Sequence, residues 1–277
     1  MTHSSQLSMV SFPPCKINLG LHIIRKRGDG FHDLETCFYP VPWTDILEII
    51  PSDILSFTTS GAAIPGNDAD NLCLKAYHLL QKDFNLAPVK IHLHKIIPTG
   101  AGLGGGSADA AHTIRLLSTV FQLNLSVEKM MAYAAHLGSD CAFFIQDTPM
   151  MGTGRGEILQ PASLSLKGKY LVLIKPPVHV STAEAYAGIS PAQPAMPLQQ
   201  ILETYALADW RHVVKNDFEE SVFKKYPAIA DLKDTFYQHG AIYASMSGSG
   251  ASVFGIFERD VTMAIPEGYT SWKGLLS

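Results

Sequence analysis

The sequence predicts an α+β fold in two lobes. Three observations carry that reading. Strand-like and helix-like patterns follow one another along the 277 residues without the regular rhythm of βαβ units. A glycine-rich stretch at residues 98–111 joins a strand pattern directly to a helical one. The last part of the chain reads as strand, glycine turn, strand over residues 241–246, 247–250 and 251–257. A chain of this length allows one large domain or two smaller ones. We place the division near residue 158, giving an N-terminal lobe (1–158) with the glycine-rich loop and a C-terminal lobe (159–277).

Taken in order, residues 1–10 are polar and lack the apolar core of an export signal. Ile17, Leu19, Leu21 and Ile23 alternate with Lys16, Asn18, Gly20 and His22, the period of a strand with one buried face. Lys16 and Asn18 therefore point the same way. Asp29-Gly30, after the basic triplet Arg25-Lys26-Arg27, signals a hairpin turn, and Phe31 and His32 open the next strand. Residues 45–50 and 54–57 read as short strands. Asp70 is placed to cap a helix carrying Leu72, Ala76, Leu79 and Leu80. Val89, Ile91 and Leu93 alternate with Lys90, His92 and His94 as a further strand.

Glycine supplies five of the first nine residues of Pro98-Thr99-Gly100-Ala101-Gly102-Leu103-Gly104-Gly105-Gly106-Ser107-Ala108. Helical spacing of Ala108, Ala111, Ile114, Leu117 and Phe121 follows, with Ser107 placed to cap a free amide. Glycine costs conformational entropy, so this many need a reason. A glycine loop entering a helix start presents backbone N–H groups at the positive end of the helix dipole, which suits a phosphate. The string also fits G-x-G-x-x-G, but residues 122–127 are polar and turn-like, with no acidic strand end for a dinucleotide fold. No G-x-x-x-x-G-K-[ST] is present, and no H-R-D loop of protein kinases. The loop brings no lysine of its own, so a cation must come from elsewhere.

Ser126 caps the next helix, which carries Met130, Met131, Ala134, Ala135 and Leu137 and stops at Gly138. Asp140 stands between that end and the apolar run 141–145, where a turn-forming and a functional aspartate fit equally well. In the second half, residues 170–174 read as a buried strand. A helix starting at Ser181-Thr182 carries Tyr186, and helical patterns cover 198–207 and 228–239.

Composition narrows the classes. Hydrophobic residues make up 47% and charged ones 17%, enough apolar content for a core. A net charge of −4 argues against nucleic acid or a membrane surface as the main partner. Cys15, Cys37, Cys73 and Cys141 are scattered without C-x-x-C, which suits reduced thiols in the cytoplasm. No apolar run approaches a membrane span. The sequence does not set an oligomeric state.

Three motifs in order resemble those of the GHMP kinase superfamily of small-molecule kinases: Pro14-Cys15-Lys16-Ile17-Asn18-Leu19, the loop 98–111, and Met246-Ser247-Gly248-Ser249-Gly250-Ala251-Ser252. Asp29-Gly30-Phe31-His32, Asp70-Asn71-Leu72, Leu137-Gly138-Ser139-Asp140, Gly154-Arg155-Gly156-Glu157 and Asn216-Asp217-Phe218-Glu219 resemble, within it, the members that phosphorylate a cytidyl sugar alcohol for non-mevalonate isoprenoid synthesis. The resemblance spans nearly the whole chain. It implies the two-lobed GHMP kinase fold with the active site in the cleft between lobes, and ATP and Mg²⁺ as cofactors. It also implies transfer of the γ-phosphate to the 2-hydroxyl of the cytidyl substrate. Asp140 is then the general base with Lys16 close by, and residues 98–108 hold the ATP phosphates. Ser107 is the candidate protein oxygen near the metal. Phe31 and Tyr186 would sandwich the cytosine, His32 would read its polar edge, and Asn18 and Thr182 would hold the rest of the substrate. Cys15 stands where the family usually carries alanine, and a small residue is kept. Residues 258–277 are short for the terminal helix the resemblance would add. Asp-Gly-Phe-His argues against a kinase of homoserine or mevalonate, and the paired Lys16 and Asp140 against a non-catalytic nucleotide-binding module.

Overall fold

A computed structural model describes residues 9–276 of the chain; most of the polar opening stretch lies outside the described residues. The first half comprises β1 (Met9–Ser11), β2 (Pro14–Lys26), β3 (His32–Thr44), β4 (Ile46–Pro51), β5 (Ser56–Gly61), α1 (Leu72–Phe84), β6 (Val89–Lys95), α2 (Gly105–Val120) and α3 (Val127–Ala135). The second half adds β7 (Met150–Thr153), β8 (Ile158–Pro161), β9 (Tyr170–Lys175), α4 (Thr182–Ala187), α5 (Leu198–Thr204), α6 (Trp210–Val213), α7 (Phe218–Lys225), α8 (Pro227–Gln238), β10 (Tyr243–Met246), β11 (Val253–Phe257) and β12 (Thr270–Leu275). Two units interleave along the chain. One holds the described residues up to Cys15, Trp43–Thr99 and Gly104–Asp147; the other holds Lys16–Pro42, Gly100–Leu103 and the chain from Thr148 onward. They differ from a linear division at residue 158, because Leu21, Ile23 and Leu34 of the β2–β3 hairpin pack in one core with Val172, Ile174, Phe218, Ile229 and Phe236.

In the first unit a four-stranded sheet has the order β1-β4-β6-β5, with β6 antiparallel to β4 and parallel to β5. The alternation of β6 is as expected: Val89, Ile91 and Leu93 are buried and Lys90 is exposed. α2 packs on α1 and on β4. The packed faces are Cys73, Ala76, Tyr77 and Leu80 on α1 and Ala108, Ala111, Ile114 and Leu117 on α2, at the spacing an amphipathic helix needs. Polar contacts tie β1 to α2: Ser11 Oγ lies 2.5 Å from His112 Nδ1, and Asp147 lies 3.1 Å from His112 Nε2.

The second unit has two four-stranded sheets, β2-β3-β7-β8 and β10-β11-β9-β12. Asp29-Gly30 makes the expected turn: Gly30 has φ +86° and Arg27 N donates to Phe31 O at 2.8 Å. The glycine turn after β10 joins it antiparallel to β11, which pairs in turn with β9. α8 packs on β10 and β11, and α7 on α8.

Several local expectations change. β2 is buried on both faces, with Lys16 3%, Asn18 2% and His22 7% exposed, because the polar face is covered as well as the apolar one. α1 is capped by Asn71, whose side chain accepts from Cys73 N at 2.9 Å; Asp70 belongs to a preceding 3₁₀ turn. α2 begins at Gly105, two residues before Ser107. Gly104 at φ +70° turns the chain into the helix, and no side chain caps it. α3 ends at Ala135, ahead of Gly138. The C-terminal segment forms strand β12 on the edge of β9, not a helix. α7 carries no signal that we read from the sequence.

The start of α2 rests on a buried charge cluster. Lys95 continues the inward register of β6, and its Nζ donates to Asp45 (2.5 Å) and Asp109 (2.7 Å). The other Asp45 oxygen accepts from Ile96 N and Ile97 N at 2.6 and 2.8 Å. Asp109 Oδ1 is buried with no hydrogen-bond partner among the described residues. One ammonium thus faces two carboxylates. Burial opposes the charge on Lys95, but the carboxylates outweigh it and hold Lys95 above its ordinary value. Burial pushes the Asp109 carboxyl up to about 7, against the pull of Lys95 and with Asp45 adding to the rise.

The sign follows from linkage. Between the ordinary 3.8 and about 7, the unfolded chain loses the Asp109 proton freely while the fold resists losing it. The wild type therefore loses stability as pH rises through that window, by up to about 1.4 kcal/mol per unit. Asp109→Asn keeps the shape and removes the titration. Urea unfolding across this window should show the variant gaining on the wild type as pH rises; a gap independent of pH would contradict this assignment.

Candidate active site

In the second unit, residues two apart on β2 share a face. Lys16 Nζ donates to Asn18 Oδ1 at 2.6 Å and to Gly102 O at 3.1 Å, and lies 5.3 Å from the centre of the Phe38 ring. Asn18 Nδ2 donates to Thr36 Oγ1 at 2.8 Å, and that hydroxyl donates to Gly20 O at 2.6 Å. The chain of bonds leaves the buried Lys16–Asn18 face paired at each step. Lys16 N also donates to Leu103 O at 2.9 Å, so Gly100–Leu103 is laid along β2.

The same loop residues meet the second glycine turn. Ser247 Oγ donates to Gly102 O at 2.9 Å, and Ser252 N to Ala101 O at 3.2 Å. Gly102 has φ +75°, and a Cβ there would stand 2.1 Å from Ser247 O. No other residue fits without moving one backbone off the other.

Tyr186 sits on α4, which Ser181 caps by accepting from Glu184 N at 3.2 Å. Its ring stacks on His32, with centroids 4.8 Å apart and planes 21° apart. The Phe218 ring lies 4.8 Å from that of Tyr186 and nearly perpendicular to it, at 85°. Burial and the charge of Lys26 hold His32 below its ordinary value, so the stacked ring is neutral near pH 7. Phe31 is 53% exposed at the hairpin tip, with the Arg155 guanidinium 5.0 Å over its ring. Thr182 Oγ1 lies 3.3 Å from Ser249 Oγ.

In the first unit, α2 starts with no side-chain cap, so the amides of its first turn have no intrahelical acceptor. A Cβ on Gly106 would meet nothing within 4 Å. Beside it lies a cavity lined by Asn67, Asn71, Lys95, Thr99, Gly106 and Asp109, among others. Asp140 is half-buried in the turn after α3. The adjacent Cys141 thiol bonds to the Ser107 side chain; burial and the Asp140 charge push it up to about 11, against that bond.

Family models match twice, GHMP kinases N terminal domain over residues 71–148 and GHMP kinases C terminal over residues 195–264. The chain belongs to the GHMP kinase family. A 4-diphosphocytidyl-2-C-methyl-D-erythritol kinase of Cytophaga hutchinsonii is 54% identical over 90% of this chain and 92% of its own length. One from Bacteroides thetaiotaomicron is 50% identical over 95% and 96%. A crystal structure of 4-(cytidine 5'-diphospho)-2C-methyl-D-erythritol kinase superposes with a TM-score of 0.77 at 31% identity, covering 90% of each chain. The Methanococcus jannaschii mevalonate kinase shares the fold alone, with a TM-score of 0.69 at 13% identity and full coverage of both chains. Among the described residues, no helix is long and apolar enough to cross a membrane.

In this GHMP kinase the expected residues fall into separate groups. Lys16, Asn18, Gly100, Ala101, Gly102 and Leu103 meet in the second unit, where His32 and Tyr186 also stack. Pro98, Thr99, Gly104, Gly105, Gly106, Ser107, Ala108 and Asp140 belong to the first. Tyr186 stacks on His32. Our sequence reading passed over Lys95, Asp45 and Asp109, and gave Ser247 and Asn216 no role. For Lys95 a signal existed: it continues the inward set Val89, Ile91 and Leu93, where a lysine must be paired.

Asn18 is the joint of the buried chain of hydrogen bonds. Asn18→Ala strips an acceptor from Lys16 and a donor from Thr36, and should cost about 1–3 kcal/mol of stability in urea unfolding. A loss within error would show that the two partners are satisfied without it.

Proposed function

We propose that this GHMP kinase transfers the γ-phosphate of ATP to the 2-hydroxyl of 4-diphosphocytidyl-2-C-methyl-D-erythritol, supplying isoprenoid precursors by the non-mevalonate route. The observation that carries the reading is the identity of 50–54% over nine tenths or more of the chain with kinases bearing that name. The residues that this chemistry needs are present. The uncapped start of α2 and the backbone amides of residues 99–108 cradle the donor phosphates, with Pro98 fixing the entry to the loop. The cavity beside Gly106, with its asparagines and Thr99, takes the nucleoside end of ATP.

Asp140 accepts the proton of the attacking hydroxyl, as a half-buried carboxylate can. The Lys16 ammonium neutralises charge that develops on the alkoxide and the transferred group. Lys16 is pre-set for this by Asn18 and Gly102 O, so little reorganisation is left for the reaction. Among the described residues, no group of three or more His, Cys, Asp or Glu could hold a metal ion. Ser107 in the first turn of α2 fits a cation carried mainly on phosphate oxygens, with its hydroxyl as the protein ligand. Mg²⁺ so bound would offset phosphate charge during transfer.

The cytosine lies against the Tyr186–His32 stack, with Phe31 closing it from the hairpin tip and His32 offering its ring nitrogens to the polar edge. A flat base needs flat apolar partners with a polar handle. Asn18 and Thr182 hold the remainder of the substrate. The enzyme works in the cytoplasm, with no nucleic acid or membrane partner.

Release of ADP from ATP and Mg²⁺ should require the cytidyl substrate, with homoserine and mevalonate as controls. No turnover of that substrate, or faster turnover of a control, would sink the reading. Asp140→Asn should lower the rate on the order of 10²–10⁴-fold with ATP affinity kept; near-normal turnover would remove Asp140 as the base.

A further inference from the structure

The motif Asn216-Asp217-Phe218-Glu219 takes no part in the chemistry above, yet each of its side chains is engaged within the second unit. Asn216 is 3% exposed. Its Nδ2 donates to Met246 O and Gly248 O, both at 2.8 Å, and its Oδ1 accepts from Phe218 N at 3.0 Å. Two carbonyls on one side and an N–H on the other leave the amide a single orientation. Asp217 Oδ2 accepts from Ile23 N of β2 at 2.7 Å. Glu219 Oε1 accepts from Met246 N at 2.8 Å and Ser245 Oγ at 3.0 Å. Phe218 is therefore anchored from both neighbours in the chain, and it is 2% exposed.

What this rigid residue touches is Tyr186. α4 has only six residues, too few to hold itself in place. Its position comes from packing. Gly188 at its end lies so close to α7 that a Cβ would stand 2.4 Å from Ser221 Cβ. Tyr226 donates to Glu184 of α4 at 3.0 Å. The Tyr186 ring itself packs against the nearly perpendicular Phe218 ring and stacks on His32.

We propose that Phe218 is a positioning residue for the cytidyl substrate, acting through Tyr186: its ring, anchored by Asn216 and packed nearly perpendicular to Tyr186, sets the plane of the Tyr186 ring against which the base stacks. The proposal rests on the substrate reading given above.

The test is Phe218→Leu, which keeps the core apolar but removes the aromatic ring. KM for the cytidyl substrate should rise about tenfold, the upper end of what one aromatic pair contributes, with KM for ATP and kcat changed by less than about twofold. In a Tyr186→Ala background the same substitution should have no further effect on KM; full additivity of the two would overturn the proposal. Lys224→Ala, which breaks only an exposed pair with Glu220 on α7, is the control and should leave both constants unchanged. A second readout needs no substrate. The His32 ring protons of the free protein carry the ring current of Tyr186, so their NMR shifts in Phe218→Leu should move toward those of Tyr186→Ala. Unmoved shifts would overturn the proposal. If the shifts move but the wild type does not turn over the cytidyl substrate, it is the substrate reading that fails.

Discussion

One carbonyl organises the second unit. Gly102 O accepts from Lys16 Nζ and from Ser247 Oγ, and it can do both only because Gly102 lacks a Cβ where the backbone of Ser247 comes within 2.1 Å of one. The first glycine loop and the second glycine turn are thus two halves of one close backbone approach. The position of Lys16 depends on that approach as much as on β2. Asn18, Thr36 and Gly20 extend the same set of bonds along the Lys16–Asn18 part of the polar face of β2. A lysine that is 3% exposed is tolerated only under such pairing.

The first unit solves a different electrostatic problem in the same way. The start of α2 is left uncapped, which suits an anion, and the charge beneath it is supplied by Lys95 with Asp45 and Asp109. Burial, with two carboxylates facing one ammonium, leaves Asp109 costly to ionise. Breaking such a buried cluster by removing one partner is far more disruptive than replacing it by a neutral isostere.

Much of this was legible in the sequence, and what was not has physical reasons. The glycines announced the loop because nothing else explains their entropic cost, and the alternation of β2 put Lys16 and Asn18 on one face. Burial of that face was hidden, since it depends on residues 100–103 and 247–250 returning to cover it. Helix starts were misplaced by one or two residues at Asp70 and Ser107, because a neighbouring asparagine caps α1 as well as an aspartate would, and a glycine with positive φ turns the chain into α2 with no side-chain cap at all. β12 was missed because an edge strand is defined by its pairing with β9, which no local pattern encodes. The stacking of His32 on Tyr186 joins a hairpin to a short helix far along the chain, so no local pattern announces that contact. Asn216 and Phe218 were visible as motif letters, with their work evident only from what they touch.

The approach of Gly102 to Ser247 fixes the carbonyl that Lys16 bonds, and steady-state turnover of Gly102→Ala reads whether the phosphoryl-transfer role proposed for Lys16 depends on it. Gly28→Ala serves as reference, since a Cβ there meets nothing within 4 Å. Gly102→Ala should turn over the cytidyl substrate on the order of 10²-fold more slowly, the cost of displacing a catalytic group by about 1 Å, while Gly28→Ala keeps the wild-type rate. Wild-type turnover in Gly102→Ala would contradict the account.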